Sequence, residues 1–218
     1  MNELWFTLEH WLSQHFPEVL ADLNPGCSDE ELDELERWLN CSLPEDFRAF
    51  YKRHNGQIGE APGLFLGLPF LSTDALYGEW CTWQGLAEDF AKEAEDFNEE
   101  SRATKITGES YPHDAIKPIY INLRWIPFSH DGSGNHLGID LDPGVAGVRG
   151  QVINFGPDEN NKFVIASSLT DFVTWIITQY QMENYQKSEH SLNLKEPPNT
   201  HFLDAVPSLF GRSRGSLL

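Results

Sequence analysis

The sequence predicts an α+β fold in which a mostly antiparallel sheet of five to six strands is flanked by helices. Apolar residues recur at helical spacing through the first hundred residues and again near residue 170. Between them, residues 116–166 hold short apolar runs with a period of two, joined by links rich in Gly, Asn, Asp and Pro. Because such short links favour antiparallel pairing, the order of helices, strands and a closing helix is typical of α+β proteins.

Three helices are expected before residue 60. The first ends at Phe16-Pro17 and has five apolar residues on one face, Leu4, Trp5, Leu8, Trp11 and Leu12. Ser28 is a predicted N-cap of the second helix, and Glu31, three residues later, completes a capping box. The third helix begins near Pro44, a favourable residue for a first turn, and ends at Asn55-Gly56.

Helical spacing returns between Asp74 and Phe97, where Gly85 is expected to divide the pattern into two helices. The far part, Glu88–Glu100, holds seven carboxylates and one lysine. Such a run is typical of a solvated helix face or of a docking surface for a cationic partner. The apolar run Gly63–Phe70, which precedes this region, predicts an edge strand because it is punctuated by Gly and Pro.

The second half of the chain predicts five short strands and a final core helix. The strands are expected at Ile116–Ile121, Trp125–Ser129, His136–Leu141, Gln151–Phe155 and Phe163–Ala166. Ser168 is the expected N-cap of the helix that follows. Residues 1–186 are therefore predicted to form a single domain, and residues 187–218 a flexible linker with a short apolar segment. That segment, Phe202–Phe210, either folds back onto the domain or contacts a partner.

The charge balance restricts the classes of partner. Fifteen Lys and Arg against 34 Asp and Glu give a net charge of −19, which disfavours direct contact with nucleic acid or an anionic membrane and favours a basic protein. Residues 1–10 lack the features of a signal peptide, and no apolar stretch is long enough to span a membrane. Three cysteines without CxxC spacing are typical of reduced thiols, so a cytoplasmic protein is expected.

The segment Ser129–Asp142 concentrates residue types used in catalysis and metal binding. Asp131, Ser133, Asn135 and Asp142 match four positions of a calcium loop, but His136 stands where such loops need Gly. A metal cluster of His130, Asp131, His136 and Asp140 lacks support from any known ligand motif, and no GxSxG elbow supports a Ser-His-Asp hydrolase. The sequence therefore predicts no catalytic residue, no metal and no cofactor, and it predicts a hairpin loop at Asp131–Asn135.

Two motifs resemble the SUKH superfamily. Leu43–Tyr51, followed by Asn55-Gly56, is similar to its "LP-x-(D/E)-(F/Y)…NG" helix, and Trp125–Pro143 is similar to its strand core with "D-G-x-G-(N/D)" and "D-x-D-P". The resemblance covers about residues 20–186. The superfamily is named for a fungal regulator of cell-wall glucan synthesis and includes many bacterial toxin-immunity proteins. It implies an α+β, protein-binding module without an established catalytic site.

With the acidic charge, this resemblance leads us to expect a bacterial immunity protein that neutralises a basic toxin acting on nucleic acid. The alternative is a regulatory scaffold, as in control of cell-wall synthesis, and a third reading is a metal-dependent hydrolase using His130, Asp131 and Asp142. The expected partner is a protein and neither nucleic acid nor membrane. Its expected contacts are in the hairpin region and the acidic helix: Asp131, Asn135, Asp140, Asp142, Glu93, Glu95, Asp96, Glu99 and Glu100.

Overall fold

A computed structural model of the chain describes residues 1–97, 100–101, 103, 108–188 and 191–211. In these residues the helices are α1 (Asn2–His15), α2 (Pro17–Ala21), α3 (Asp29–Leu39), α4 (Glu45–Tyr51), α5 (Thr73–Phe97), α6 (Leu169–Gln181) and α7 (Phe202–Phe210). The strands are β1 (Ser110–Tyr111), β2 (Trp125–His130), β3 (His136–Asp140), β4 (Gln151–Phe155), β5 (Lys162–Ala166), β6 (Tyr185–Lys187) and β7 (Leu192–Leu194).

The main sheet has five strands in the order β1-β5-β4-β3-β2. Strands β2 to β5 pair with antiparallel neighbours, while the two-residue strand β1 pairs in parallel with β5, so the sheet is mixed. The predicted α+β class and five-stranded sheet are confirmed, and β1 is the departure from strict antiparallel pairing. Strand β2 contains a bulge between Pro127 and Ser129, where Pro127 lacks a backbone N–H for the ladder.

Both faces of the sheet are buried. On one face Ile126, Phe128, Leu137 and Ile139 belong to the main core, which they share with α1, α3, α4, α6 and α7. The other face carries a smaller cluster that includes Trp125, Ile153 and Phe155, covered by Ala115 and Ile116 of the link before β2 and by Trp83 of α5. Most central positions of these strands therefore hold apolar residues, because side chains on both faces are buried.

Two of the predicted strands are wrong. Residues 116–121 belong to the link before β2, and their backbone N–H groups bond outside a strand ladder, as from Ile116 N to the side-chain oxygen of Ser110 and from Ile121 N to Ala103 O. Gly63–Phe70 is folded into tight turns, with Gly67 N bonded to Gly63 O. Both runs are apolar because they are buried, and burial alone does not select a strand.

The three helices predicted before residue 60 are present as α1, α3 and α4, but α4 ends at Tyr51, before the predicted end at Asn55-Gly56, and the short helix α2 was not predicted. The capping box is confirmed, since Glu31 N donates to Ser28 Oγ and Ser28 N to a Glu31 carboxylate oxygen. The predicted break at Gly85 is wrong, because α5 is one helix of 25 residues. A single glycine lowers helix stability by only about 1 kcal/mol, and apolar packing on both sides of Gly85, by Trp80 and Phe90, holds the helix together.

The C-terminal part of the described chain packs on the domain. Strands β6 and β7 form a two-stranded sheet within and beside the segment predicted as a linker, and Leu194 of β7 is fully buried. Helix α7 folds back, and its Phe202 stacks on Trp175 with ring centroids 5.3 Å apart. In the part of the chain that the structure describes, no helix is long and apolar enough to cross a membrane.

Candidate functional site

The loop Asp131–Asn135 closes the β2–β3 hairpin through side-chain hydrogen bonds. Asp131 Oδ1 accepts from the N–H of Ser133 at 2.7 Å and of Asn135 at 3.1 Å, while Asp131 Oδ2 accepts from Asn135 Nδ2 at 2.8 Å. Burial acts to raise the pKa of Asp131, but these bonds outweigh it and the pKa is lowered. Gly132 and Gly134 adopt φ angles of 79° and 97°, so the predicted hairpin loop is confirmed.

Asp140 lies at the other end of β3 and is fully buried. Its carboxylate accepts from Asp142 N at 2.9 Å and from Gln151 Nε2 at 3.0 Å. Burial raises the pKa of Asp140 to about 6. Asp142 lies nearer the surface, where its carboxylate contacts Lys117 Nζ at 2.5 Å and Asn122 Nδ2 at 3.0 Å. Both side chains therefore fix the loop that joins β3 to β4.

The structure does not bring the predicted contact residues together. Asp131 and Asn135 lie at one end of β3, and Asp140 and Asp142 at the other, which is about 16 Å away for a five-residue strand. The same separation divides His130 and Asp131 from Asp142, the three residues of the hydrolase reading. Among the described residues, no group of three or more His, Cys, Asp or Glu side chains is placed to hold a metal ion.

The acidic half of α5 is the part of the predicted site that is open to solvent. Glu93, Glu95 and Asp96 are exposed, and so is Glu100 beyond the helix. Within the described residues, none of the three helical carboxylates forms an ion pair, and the only pair on this half of the helix joins Lys92 to Asp89. Glu99, the remaining predicted residue, lies outside the described residues. Glu93, Glu95 and Asp96 therefore form an exposed acidic surface within the described part of the chain.

The other half of α5 is held on the sheet by a carboxylate that sequence reasoning missed. Glu79 Oε1 lies 3.2 Å from His130 Nδ1, and Glu79 Oε2 lies 3.1 Å from His136 Nε2. His136 is buried and stacks on Phe155, with centroids 5.2 Å apart. The bond to His136 is the main cause of the lowered pKa of Glu79. One signal was available, since helical spacing from Trp83 places Glu79 beside the buried stripe.

A half-buried carboxylate, Glu159, and a buried lysine, Lys162, lie toward the β1 side of the sheet. Burial raises the pKa of Glu159 to about 7 and lowers that of Lys162 to about 8. Asn154 donates a short hydrogen bond to Glu159, and Lys162 Nζ lies 5.4 Å above the ring of Trp125. Perturbed pKa values are typical of functional sites, but Lys162 is 2% exposed and is enclosed by the sheet. The pair therefore has a place in the fold rather than on an accessible surface.

A family model decides the relationship of this chain to known proteins. The model of the SMI1 / KNR4 family (SUKH-1) matches residues 26–175, well over half of the chain. The chain belongs to this family. The match runs from the residues before α3 into α6, so the SMI1/KNR4 region contains α5, the hairpin loop and both ends of β3. The resemblance predicted from the two sequence motifs is confirmed.

Several fungal SMI1/KNR4 proteins are similar to this chain. "KNR4/SMI1 homolog 2" of Debaryomyces hansenii is 34% identical over an alignment 214 residues long, which covers 85% of this chain and 36% of the relative. The "cell wall biosynthesis/cell cycle regulator smi1" of Schizosaccharomyces pombe is 34% identical, covering 84% and 36%. The "cell wall assembly regulator SMI1" of Saccharomyces cerevisiae is 28% identical, covering 83% and 40%.

The chain thus spans between a third and a half of the length of these relatives. The names of two of these relatives, from Schizosaccharomyces pombe and Saccharomyces cerevisiae, describe regulators of the cell wall rather than enzymes. These names support the regulatory alternative, and the expected bacterial immunity role gains no support from them.

Proposed function

We propose that this chain is a non-catalytic, protein-binding module of a regulator of cell-wall synthesis. The observation that carries the proposal is membership of the SMI1/KNR4 family together with relatives named as cell-wall regulators. A toxin-immunity protein would also bind a protein partner, but the names of the relatives favour the regulatory role.

The partner contact that we propose is the exposed acidic half of α5, with Glu93, Glu95 and Asp96. Glu79 bonds the first half of the helix to two histidines of the sheet, which fixes the position of the acidic half, residues 88–97, relative to the sheet. With a net charge of −19, this surface attracts a basic partner and accelerates its approach. Charges on an exposed surface raise the rate of association and the selectivity for an oppositely charged partner, and added salt weakens both effects.

A chimaera tests this proposal in a fungal cell. The chain replaces the matching region of the Saccharomyces cerevisiae relative, in a strain that lacks its own copy, and growth is measured on a dye that stresses the cell wall. We expect the chimaera to restore growth, and we expect the triple variant Glu93→Gln, Glu95→Gln, Asp96→Asn to lose much of this rescue. The reason is that removal of three partner-facing charges weakens the encounter.

The matched control removes three other exposed carboxylates, with Glu30→Gln, Glu34→Gln and Glu60→Gln. This control should keep the rescue if location matters and lose it if only net charge matters. Equal growth of both triple variants would contradict the α5 contact. Failure of the unmodified chimaera, when it is folded and abundant, would contradict the regulatory role itself.

A further inference from the structure

Two arginines line a cleft between the α3–α4 link and the loop that joins β3 to β4. Arg124 donates from Nη1 to Asn40 O at 2.5 Å, and Arg149 donates from Nη2 to Ser42 O at 2.6 Å. The cleft has a volume of about 480 Å³, and Cys41, Leu141 and Asp142 contribute to its lining. The cleft is open to solvent.

The bonds to the backbone carbonyls use only some of the N–H donors of Arg124 and Arg149. A guanidinium has five N–H donors, and the backbone carbonyls fix each group while leaving the others available. Among the described residues, neither arginine forms an ion pair, whereas Arg48 and Arg53 bond to carboxylates. The cleft thus presents two fixed positive groups on a strongly acidic protein.

The carboxylate that lines the cleft, Asp142, and its neighbour Glu36 already have cationic partners. Asp142 bonds to Lys117 and to Asn122. Glu36 pairs with Arg48 at 3.0 Å and accepts from Leu43 N at 2.7 Å. Asp142 and Glu36 thus bond to groups other than Arg124 and Arg149, so an anion from outside can bind the two arginines without breaking those bonds.

Two valines of the loop that carries Arg149 are exposed. Val145 is 97% exposed and Val148 is 58% exposed. The loop backbone is nevertheless fixed, since Ala146 N donates to Asp114 O at 3.0 Å and Gly150 N donates to Asp140 O at 2.7 Å. A fixed loop loses little conformational freedom on binding, which favours its use as a contact surface.

We propose that this cleft binds an acidic peptide segment of a protein partner, with carboxylates on Arg124 and Arg149 and an apolar side chain against Val145 and Val148. A free anion would gain nothing from the valines. Nucleic acid is disfavoured more than a short acidic peptide, because its many phosphates would meet the net charge of −19 with only two guanidiniums to neutralise them. The site is distinct from the acidic half of α5 and selects the opposite charge.

Fluorescence anisotropy tests the cleft with a short labelled peptide that alternates Glu with Val. We expect saturable binding that weakens with salt and is lost when Gln replaces Glu in the peptide. Arg124→Gln and Arg149→Gln should each weaken binding about tenfold. The matched control is Arg37→Gln, because Arg37 is an exposed arginine of α3 that also bonds to a backbone carbonyl, and it should leave binding unchanged.

A second variant, Val145→Ser, tests the apolar contact and should weaken binding several-fold, with the thermal transition unchanged. If Arg124→Gln lowers that transition, Arg149→Gln carries the test, since its side chain is exposed. Equal losses with Arg37→Gln would overturn the proposal. So would absence of binding, displacement by inorganic phosphate with no effect of Val145→Ser, or binding of a phosphoserine peptide alone.

Discussion

At the scale of single residues, the acidic motif of the sheet core divides into buried and turn-forming side chains. Asp131 closes the hairpin loop, while Asp140 is enclosed and holds Asp142 N and Gln151. A buried carboxylate that stays charged destabilises the fold, and the raised pKa of Asp140 expresses that effect. The Asp140 side chain nevertheless holds the β3–β4 loop in place through its hydrogen bonds.

The substitution Asp140→Asn should remove one part of the pH dependence of stability. The pKa of Asp140 is raised to about 6, so the folded state binds this proton more tightly than the unfolded state does. The wild-type free energy of unfolding therefore falls as pH rises from about 4 to 6, by up to about 3 kcal/mol from this group. Urea unfolding over this pH range should show the variant gaining on the wild type by that amount.

The control for this prediction is Glu159→Gln, which removes a second raised pKa, about 7, and should remove the fall in stability between about pH 4.5 and 7 that is due to Glu159 while leaving the part due to Asp140 in place. A difference between Asp140→Asn and wild type that stays constant from pH 4 to 7 would show that Asp140 is not held in a buried, pKa-raising site.

At the scale of elements, the space available for a side chain differs between a glycine of the sheet and a glycine of α5. A Cβ on Gly138 of β3 would lie 2.5 Å from Ile126 O and 2.6 Å from Phe155 Cε1. A Cβ on Gly85 of α5 would meet nothing within 4 Å. The same change, Gly to Ala, therefore has opposite consequences in the two elements.

We expect Gly138→Ala to lower the free energy of unfolding by about 1–3 kcal/mol, because β2 or the Phe155 ring has to move. We expect Gly85→Ala to raise it by up to about 1 kcal/mol, because alanine is the better helix former. Chemical unfolding of both variants provides the measurement. A destabilising Gly85→Ala would contradict a continuous α5.

At the scale of the whole molecule, the C-terminal helix completes the main core. Phe202 is fully buried against Phe172 and Trp175, and Leu203 and Val206 beside it are buried as well. The apolar segment seen in the sequence is thus a part of the packing, and its role belongs to the fold.

The substitution Phe202→Ala should lower the free energy of unfolding by about 3–5 kcal/mol, as expected for a fully buried phenylalanine. Phe6→Ala is the matched control, because Phe6 is 73% exposed and its loss should change stability by less than about 0.5 kcal/mol. Thermal or urea unfolding compares the two. Similar small effects would mean that α7 is not part of the cooperative fold.

Periodic, capped elements could be predicted from the sequence, as Ser28 with its capping box and the alternating strands of the hairpin show. Elements without such local signals could not. Residues 116–121 resemble a strand because they are buried on the second sheet face, and burial there depends on α5. Glu79 lies 57 residues from His136, so their contact needed the fold.

The candidate surface was predictable only in part. The charge run on α5 could be seen in the sequence, because a solvated helix face needs no distant partner. The burial of Asp140 and the pairing of Asp142 with Lys117 depend on tertiary packing, and the resemblance in motif did not distinguish fold residues from contact residues. The arginine cleft joins Asn40 with Arg124 across 84 residues, beyond the range of any local pattern.

Site-specific crosslinking in living fungal cells tests the central claim most directly. A photoreactive residue replaces Glu95 of α5 in the functional chimaera, and the same residue replaces Glu34 of α3 in a control. If the acidic half of α5 contacts a protein partner, position 95 should yield a discrete crosslinked species that is lost when Glu93 and Asp96 are neutralised, and position 34 should yield none. Equal crosslinking at both positions, or none at position 95 while the chimaera still restores growth, would contradict the account.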